Sequence, residues 1–266
     1  MAVLIIADLH LDQWLGEGRD PLAAVDPDLL AKLDALIIAG DLSNKPKVRW
    51  PHAIRHLSRH VDPTRIYVLP GNHDYYDHTL DGDGRLAAIA CSEGAHLAQK
   101  AELVIGNMRL LCCTLWTDFE LGDDAGHAQR IAIRGMNDYQ YIRMARAGHR
   151  RIWPVDTATV HADHRQWLEG RLATPFAGRT LVVTHHCPHP SLIGDQQGEL
   201  AAAYGSDLLG VIARFEPEAW FFGHTHHRHE AQEGPTLVRN VSLGYPREVE
   251  GGEAETAEIL LRGLVE

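Results

Sequence analysis

Val3-Leu4-Ile5-Ile6-Ala7-Asp8-Leu9-His10, residues 3–10, runs five apolar residues straight into an aspartate and a histidine two positions apart. An unbroken apolar run of this length, closed by a polar residue, suits a strand covered on both faces. It is too short to cross a bilayer, and neither a basic segment nor a small-residue cleavage site accompanies it, so a buried strand is expected rather than a signal peptide. The pattern recurs at residues 35–39, 66–69, 103–105, 110–115, 180–184, 219–222 and 237–241. Amphipathic stretches at residues 28–33, 52–60, 160–172 and 207–215 lie between these runs. In the third of them Val160, His164, Trp167, Leu168 and Leu172 fall on one helical face. Strands alternating with helices predict an α/β protein, a two-sheet β-sandwich flanked by helices.

Neither a solenoid repeat nor a low-complexity linker divides the chain, so residues 1–266 are expected to form a single domain. Over residues 116–154 the alternation stops, and Trp116, Phe119, Tyr139 and Tyr141 stand among polar and glycine-containing sequence. A folded insertion, a cap or lid, is expected there. Arg143, Arg146, Arg150 and Arg151 read as a solvated face, with contact to a substrate anion as the alternative.

The residues after the strands carry the chemistry. Asp8 and His10 follow the first, Asp41 with Asn44 the second, Asn72, His73 and Asp74 the third, His185 and His186 the sixth, and His224 and His226 the seventh. In α/β sheets ligands bind beyond the carboxyl ends of strands, so these loops should converge. Residues i and i+2 of an extended chain share a side, which pairs Asp8 with His10 and His224 with His226 and turns His227 and His229 away. Carboxylate, imidazole and carboxamide without thiolate suit Mn, Fe or Zn. Asp8, His10, Asp41, Asn72, His185, His224 and His226 are too many ligands for one tetrahedral ion, and imply two divalent metals sharing a carboxylate.

The rest of the composition narrows the partners. Asp and Glu number 36 against 25 Lys and Arg, a net charge of −11 that argues against a phosphate-backbone binder and leaves a small phosphorylated substrate at a metal centre. No nucleic acid and no membrane span are expected, and the oligomeric state stays open. Cys91, Cys112, Cys113 and Cys187 form neither a CxxC motif nor a disulfide framework, so reduced, buried thiols in a cytoplasmic protein are expected.

The ordered blocks D-x-H, G-D-x-x-N, G-N-H-D, a later His and G-H-x-H, spanning Asp8 to His226, resemble the calcineurin-like metallophosphoesterase superfamily. The resemblance implies a first metal on Asp8, His10, Asp41 and His226, and a second on Asp41, Asn72, His185 and His224, with Asp41 bridging. It implies His73 as the catalytic residue that contacts the phosphoryl group or protonates the leaving oxygen. Asp74 is placed with it, orienting His73 or a metal-bound histidine. The implied activity is hydrolysis of a small phosphodiester or phosphomonoester by a metal-bridging hydroxide. A nucleotide-sugar or lipid-linked pyrophosphatase is the alternative. A non-enzymatic scaffold of the same fold is disfavoured, because every ligand position is filled.

Overall fold

A computed structural model describes residues 1–266 with the exception of the Gln196 side chain. The strands in chain order are β1 (Val3–Ile6), β2 (Ala35–Ala39), β3 (Ile66–Leu69), β4 (His96–Leu97), β5 (Ala101–Ile105), β6 (Met108–Cys113), β7 (Arg143–Met144), β8 (Arg150–Arg151), β9 (Arg179–Thr184), β10 (Ala219–Phe222), β11 (Glu230–Glu233), β12 (Thr236–Asn240) and β13 (Leu264–Val265). One sheet has the order β13-β1-β2-β3-β4 and the other β11-β12-β10-β9-β6-β5. The central pairings are parallel, and β13, β11 and β5 join antiparallel at or near the edges.

Side-chain alternation builds three apolar layers from these strands. Val3, Ile5, Ala35 and Ile37 meet Leu110, Cys112, Leu181, Val183 and Phe221 between the sheets. The opposite residues of the first sheet, Leu4, Ile6, Leu36 and Ile38, pack beneath Trp50, Ile54 and Leu57 of the helix Pro46–Leu57. Leu111, Val182, Trp220 and Phe222 of the second sheet pack beneath Leu168, Val211 and Ile212 from the helices Pro154–Leu172 and Leu209–Phe215. The fold is the expected two-sheet sandwich with helices outside. Each central strand is apolar on both faces because each face is covered.

The expected helix over residues 52–60 starts earlier, at Pro46. Pro51 lies inside it and has no N–H for the preceding turn, which hides its first half in the sequence. Residues 116–154 contain the helices Ala125–Gly135 and Asp138–Tyr141 and the β7–β8 hairpin. Trp116, Phe119 and Tyr139 are buried, whereas Tyr141 is exposed. Arg143, Arg146, Arg150 and Arg151 are solvent-facing, and Arg150 pairs with Asp156 at 2.8 Å. Cys112, Cys113 and Cys187 are buried as expected, but Cys91 is exposed on the helix Asp83–Ser92. Among the described residues no helix is long and apolar enough to cross a membrane.

Candidate metal centre

The two sheets meet at their carboxyl ends. The Ala7 N–H donates to the Val241 carbonyl at 3.0 Å and the Leu243 N–H to the Ala7 carbonyl at 2.8 Å across the two sheets. The His224 N–H donates to Asp8 Oδ2 at 2.8 Å, and the Gly223 N–H donates to the His185 carbonyl at 3.0 Å within the second sheet. This seam brings the loop after β1 against the loops after β9, β10 and β12, so the strand-end residues converge.

The loops themselves are not extended. Asp8, His10, Asp41, His224 and His226 have φ of 51°, 39°, 58°, 65° and 56°. The i, i+2 parity expected for an extended chain therefore does not place these side chains; left-handed turns aim each one inward. Non-glycine residues adopt this region only when their surroundings hold them there, commonly at functional sites. Likewise, Asn72 and His73 diverge because Asn72 is helical and caps the turn His73–Tyr75, not because a strand alternates. His227 lies along the cleft and is only partly exposed, so it is not turned wholly away.

Close approach explains two glycines. A Cβ at Gly40 would overlap the His185 ring, and one at Gly71 would overlap the Asp41 carboxylate.

Proton positions in the centre show what the residues are built to hold. His185 Nδ1–H donates to the Ala39 carbonyl at 3.1 Å, which leaves Nε2 a lone pair. That nitrogen faces Asn72 Oδ1 at 3.0 Å and Asp41 Oδ1 at 3.5 Å, so three electron pairs converge. His226 repeats the arrangement. Its Nδ1 lies 2.8 Å from Glu248, while Nε2 faces Asp8 Oδ1 and His10 Nε2, each at 3.3 Å. His10 Nε2 also lies 3.8 Å from Asp41 Oδ2. Asp8 Oδ1 and His224 Nε2 are buried without a hydrogen-bond partner. Converging lone pairs and orphaned ligand atoms fit cations. In the same region Asp8, His10 and His226, and Asp8, Asp41 and His185, offer atoms close enough to share an ion.

The electrostatics agree. Burial opposes charge on His226, but Asp8 and Glu248 outweigh it and lift the ring to about 9. Burial and the neighbouring Asp8 and Asp74 charges push the Asp41 carboxyl well above its ordinary value.

Several supporting residues carry no motif. Asp138, from the inserted segment, accepts from Asn72 Nδ2 at 2.8 Å and so turns the carboxamide oxygen toward His185. Tyr76 donates to the same carboxylate oxygen at 2.7 Å. Ser242 donates to Asp8 Oδ2 at 2.6 Å, and Tyr245 stacks on His10 at 4.3 Å between ring centroids. His186 is buried beneath His224, its ring 4.2 Å away, and not at the rim. His186 and Ser242 each stand two residues past a strand; Tyr76, Tyr245 and Asp138 sit in turns or in the insertion, where spacing gives no signal.

Asp74 is placed otherwise than expected. Its carboxylate accepts from the N–H groups of Asp41, Leu42, Ser43 and Gly71 and from Trp50 Nε1, at 2.8 to 3.3 Å. It ties the loop after β2 to the loop after β3 and touches no histidine ring. The residue that holds the His73 ring is Asn44, whose Oδ1 lies 2.8 Å from Nδ1. Burial, with His185 adding, pulls His73 down to about 3.

A cleft of about 550 Å³ opens over these residues, lined by Asp41, Asn72, His73, Tyr76, Met136, Tyr204, His224 and Tyr245 among others. That size takes a small ligand.

A family model described as calcineurin-like phosphoesterase matches residues 1–228. Among solved structures, the phosphopantetheinyl hydrolase of Mycobacterium tuberculosis is 17% identical with a TM-score of 0.69, the alignment covering 93% of this chain and 90% of that one. A putative 5′-nucleotidase from Staphylococcus aureus is 12% identical with a TM-score of 0.52, over 90% of this chain and 48% of that one. At such identities the likeness is one of fold. A search of curated proteins finds no match.

Proposed function

We propose, since the chain belongs to the calcineurin-like phosphoesterase family and is thereby a metal-dependent phosphoric ester hydrolase, that it cleaves a small phosphodiester or phosphomonoester in the cleft over Asp41 and His73. The observation that carries this reading is the lone pair of His185 Nε2, turned by the Ala39 carbonyl onto the oxygens of Asn72 and Asp41. A divalent cation there would accept all three lone pairs. Asp8, His10, Asp41 and His226 would hold one ion, and Asp41, Asn72, His185 and His224 the other. Two divalent ions supply Lewis acidity to the phosphoryl oxygens and acidify water.

The chain's own residues do the rest. Asp138 and Tyr76 fix the Asn72 carboxamide, and Glu248 fixes the His226 ring. Asn44 fixes His73 so that its far edge lines the cleft beside the scissile group. There it orients the phosphoryl group or passes a proton to the leaving oxygen. Tyr76, Met136 and Tyr204 limit the room for the leaving group, and the inserted residues 116–154 form one wall as a cap.

A panel of diester, monoester and pyrophosphate substrates, run with Mn or Fe supplied, tests the reading. Faster turnover of the diester or monoester supports it. Preference for the pyrophosphate moves the assignment to a pyrophosphatase, and no turnover of any of the three overturns it.

A further inference from the structure

A second cluster of ligand atoms lies outside this centre. His56 lies in the last turn of the helix Pro46–Leu57 and His60 in the turn that follows, its N–H donating to the Leu57 carbonyl at 2.9 Å. Along the helix axis His56 is about 15 Å from Pro46, which follows the active-centre loop. Asp20 comes to meet the two rings from the loop before the turn Pro21–Ala24.

The Asp20 carboxylate is set in place. Its Oδ1 accepts the Leu22 N–H at 3.1 Å, which leaves Oδ2 for the imidazoles. His60 Nε2 hydrogen-bonds Oδ2 at 2.9 Å. His56 Nε2, itself buried, lies 2.8 Å from the same oxygen without a well-formed hydrogen bond. Two ring nitrogens thus crowd one oxygen, and one of them is orphaned. Asp8 Oδ1 and His224 Nε2 in the metal centre are likewise buried without a hydrogen-bond partner.

We propose that Asp20, His56 and His60 bind a further divalent transition ion, of the zinc class, through two imidazole nitrogens and one carboxylate oxygen. The three ligand atoms lie within 4.8 Å of one another. Tetrahedral zinc with bonds of about 2.0–2.1 Å sets its ligand atoms roughly 3.3 Å apart, so each nitrogen would draw back from Oδ2 by about half an ångström. All three side chains are part-exposed, which leaves the fourth position to water. Three ligands from two separate segments make this a pin between the loop and the helix. Arg19, next to Asp20, donates to the Pro246 and Val249 carbonyls at 3.1 and 3.4 Å.

Metal-stripped full-length chain titrated with Co2+ tests the site, followed by visible absorption, ions bound per chain and melting temperature. The wild type should bind one ion more per chain than His56→Gln or His60→Gln, and its melting temperature should rise as that ion binds. Asp20→Asn, which keeps the Leu22 contact, should bind the additional ion at least tenfold more weakly. Turnover of a bis-aryl phosphodiester should be the same in all of them, because none of the three residues lines the cleft. Equal ion counts in wild type and both histidine variants would overturn the site. Should a histidine variant fail to fold, Asp20→Asn decides, and unaltered affinity there overturns the site equally.

Discussion

At the scale of single residues, the centre depends on shared atoms. Asp41 offers Oδ1 toward His185 and Oδ2 toward His10, and its Oδ1 also accepts the His73 N–H at 2.9 Å. Asp41→Ala should therefore lower occupancy at both ion sites and abolish turnover, whereas His226→Ala should empty mainly the site of Asp8 and His10. Wild-type metal content in Asp41→Ala, read by elemental analysis, would end the bridging assignment. His73 is a different case. Its Nδ1 is engaged by Asn44, and burial keeps the ring neutral near pH 7. His73→Ala should keep its metal and lose about 10²–10⁴-fold in kcat. The loss should be smaller for an aryl oxide leaving group, which needs no proton, than for an alkoxide. Equal losses for the two would leave His73 only the role of placing the phosphoryl group.

At the scale of elements, the inserted segment does more than cover the cleft, because it delivers Asp138 to Asn72 across 66 residues of sequence. Asp138→Ala strips the acceptor from Asn72 Nδ2 and from the Tyr76 hydroxyl, and frees the carboxamide to rotate. Loss of a partner that orients a ligand typically costs about 10–100-fold in metal affinity. That loss is expected at the site of His185 and His224, with the other site spared. An unchanged titration would show that Asn72 is held without the segment. Asp138 also marks where the sequence stops being legible. The strands that end in Asp8, Asp41, Asn72, His185 and His224 announce themselves by unbroken apolar runs, since both of their faces are covered. β11, written Glu-Ala-Gln-Glu, is an edge strand open to water, and β13 has only two residues; neither carries that signal. The candidate ligands were legible from their order. Their left-handed backbone was not, and neither was the role of Asp74, because both depend on contacts between loops far apart in sequence.

At the scale of the whole molecule, the sandwich holds several histidines neutral, and this sets how the fold meets acid. His164, on the helix Pro154–Leu172, is buried with its Nδ1 accepting the Leu115 N–H at 3.2 Å. A protonated Nδ1 cannot accept that bond, and burial pulls the ring down to about 3. The folded pKa is thus depressed below the unfolded value near 6.5. Between those two values the unfolded chain takes up a proton that the folded chain refuses. The contribution is complete above about pH 6.5 and is lost as pH falls toward 3, at about 1.4 kcal/mol per pH unit for one such group. His164 touches none of the metal ligands, so this slope belongs to the fold and should persist whether or not ions are bound. Urea unfolding at a series of pH values from 7 to 4 should give a stability that falls with acid. His164→Asn, whose Oδ1 can accept the Leu115 N–H without titrating, should flatten that fall by close to one proton per molecule. An identical slope in the variant would mean that His164 opens to solvent before the chain unfolds, and that the seam between the helix Pro154–Leu172 and Leu115 is the first part of the sandwich to give way.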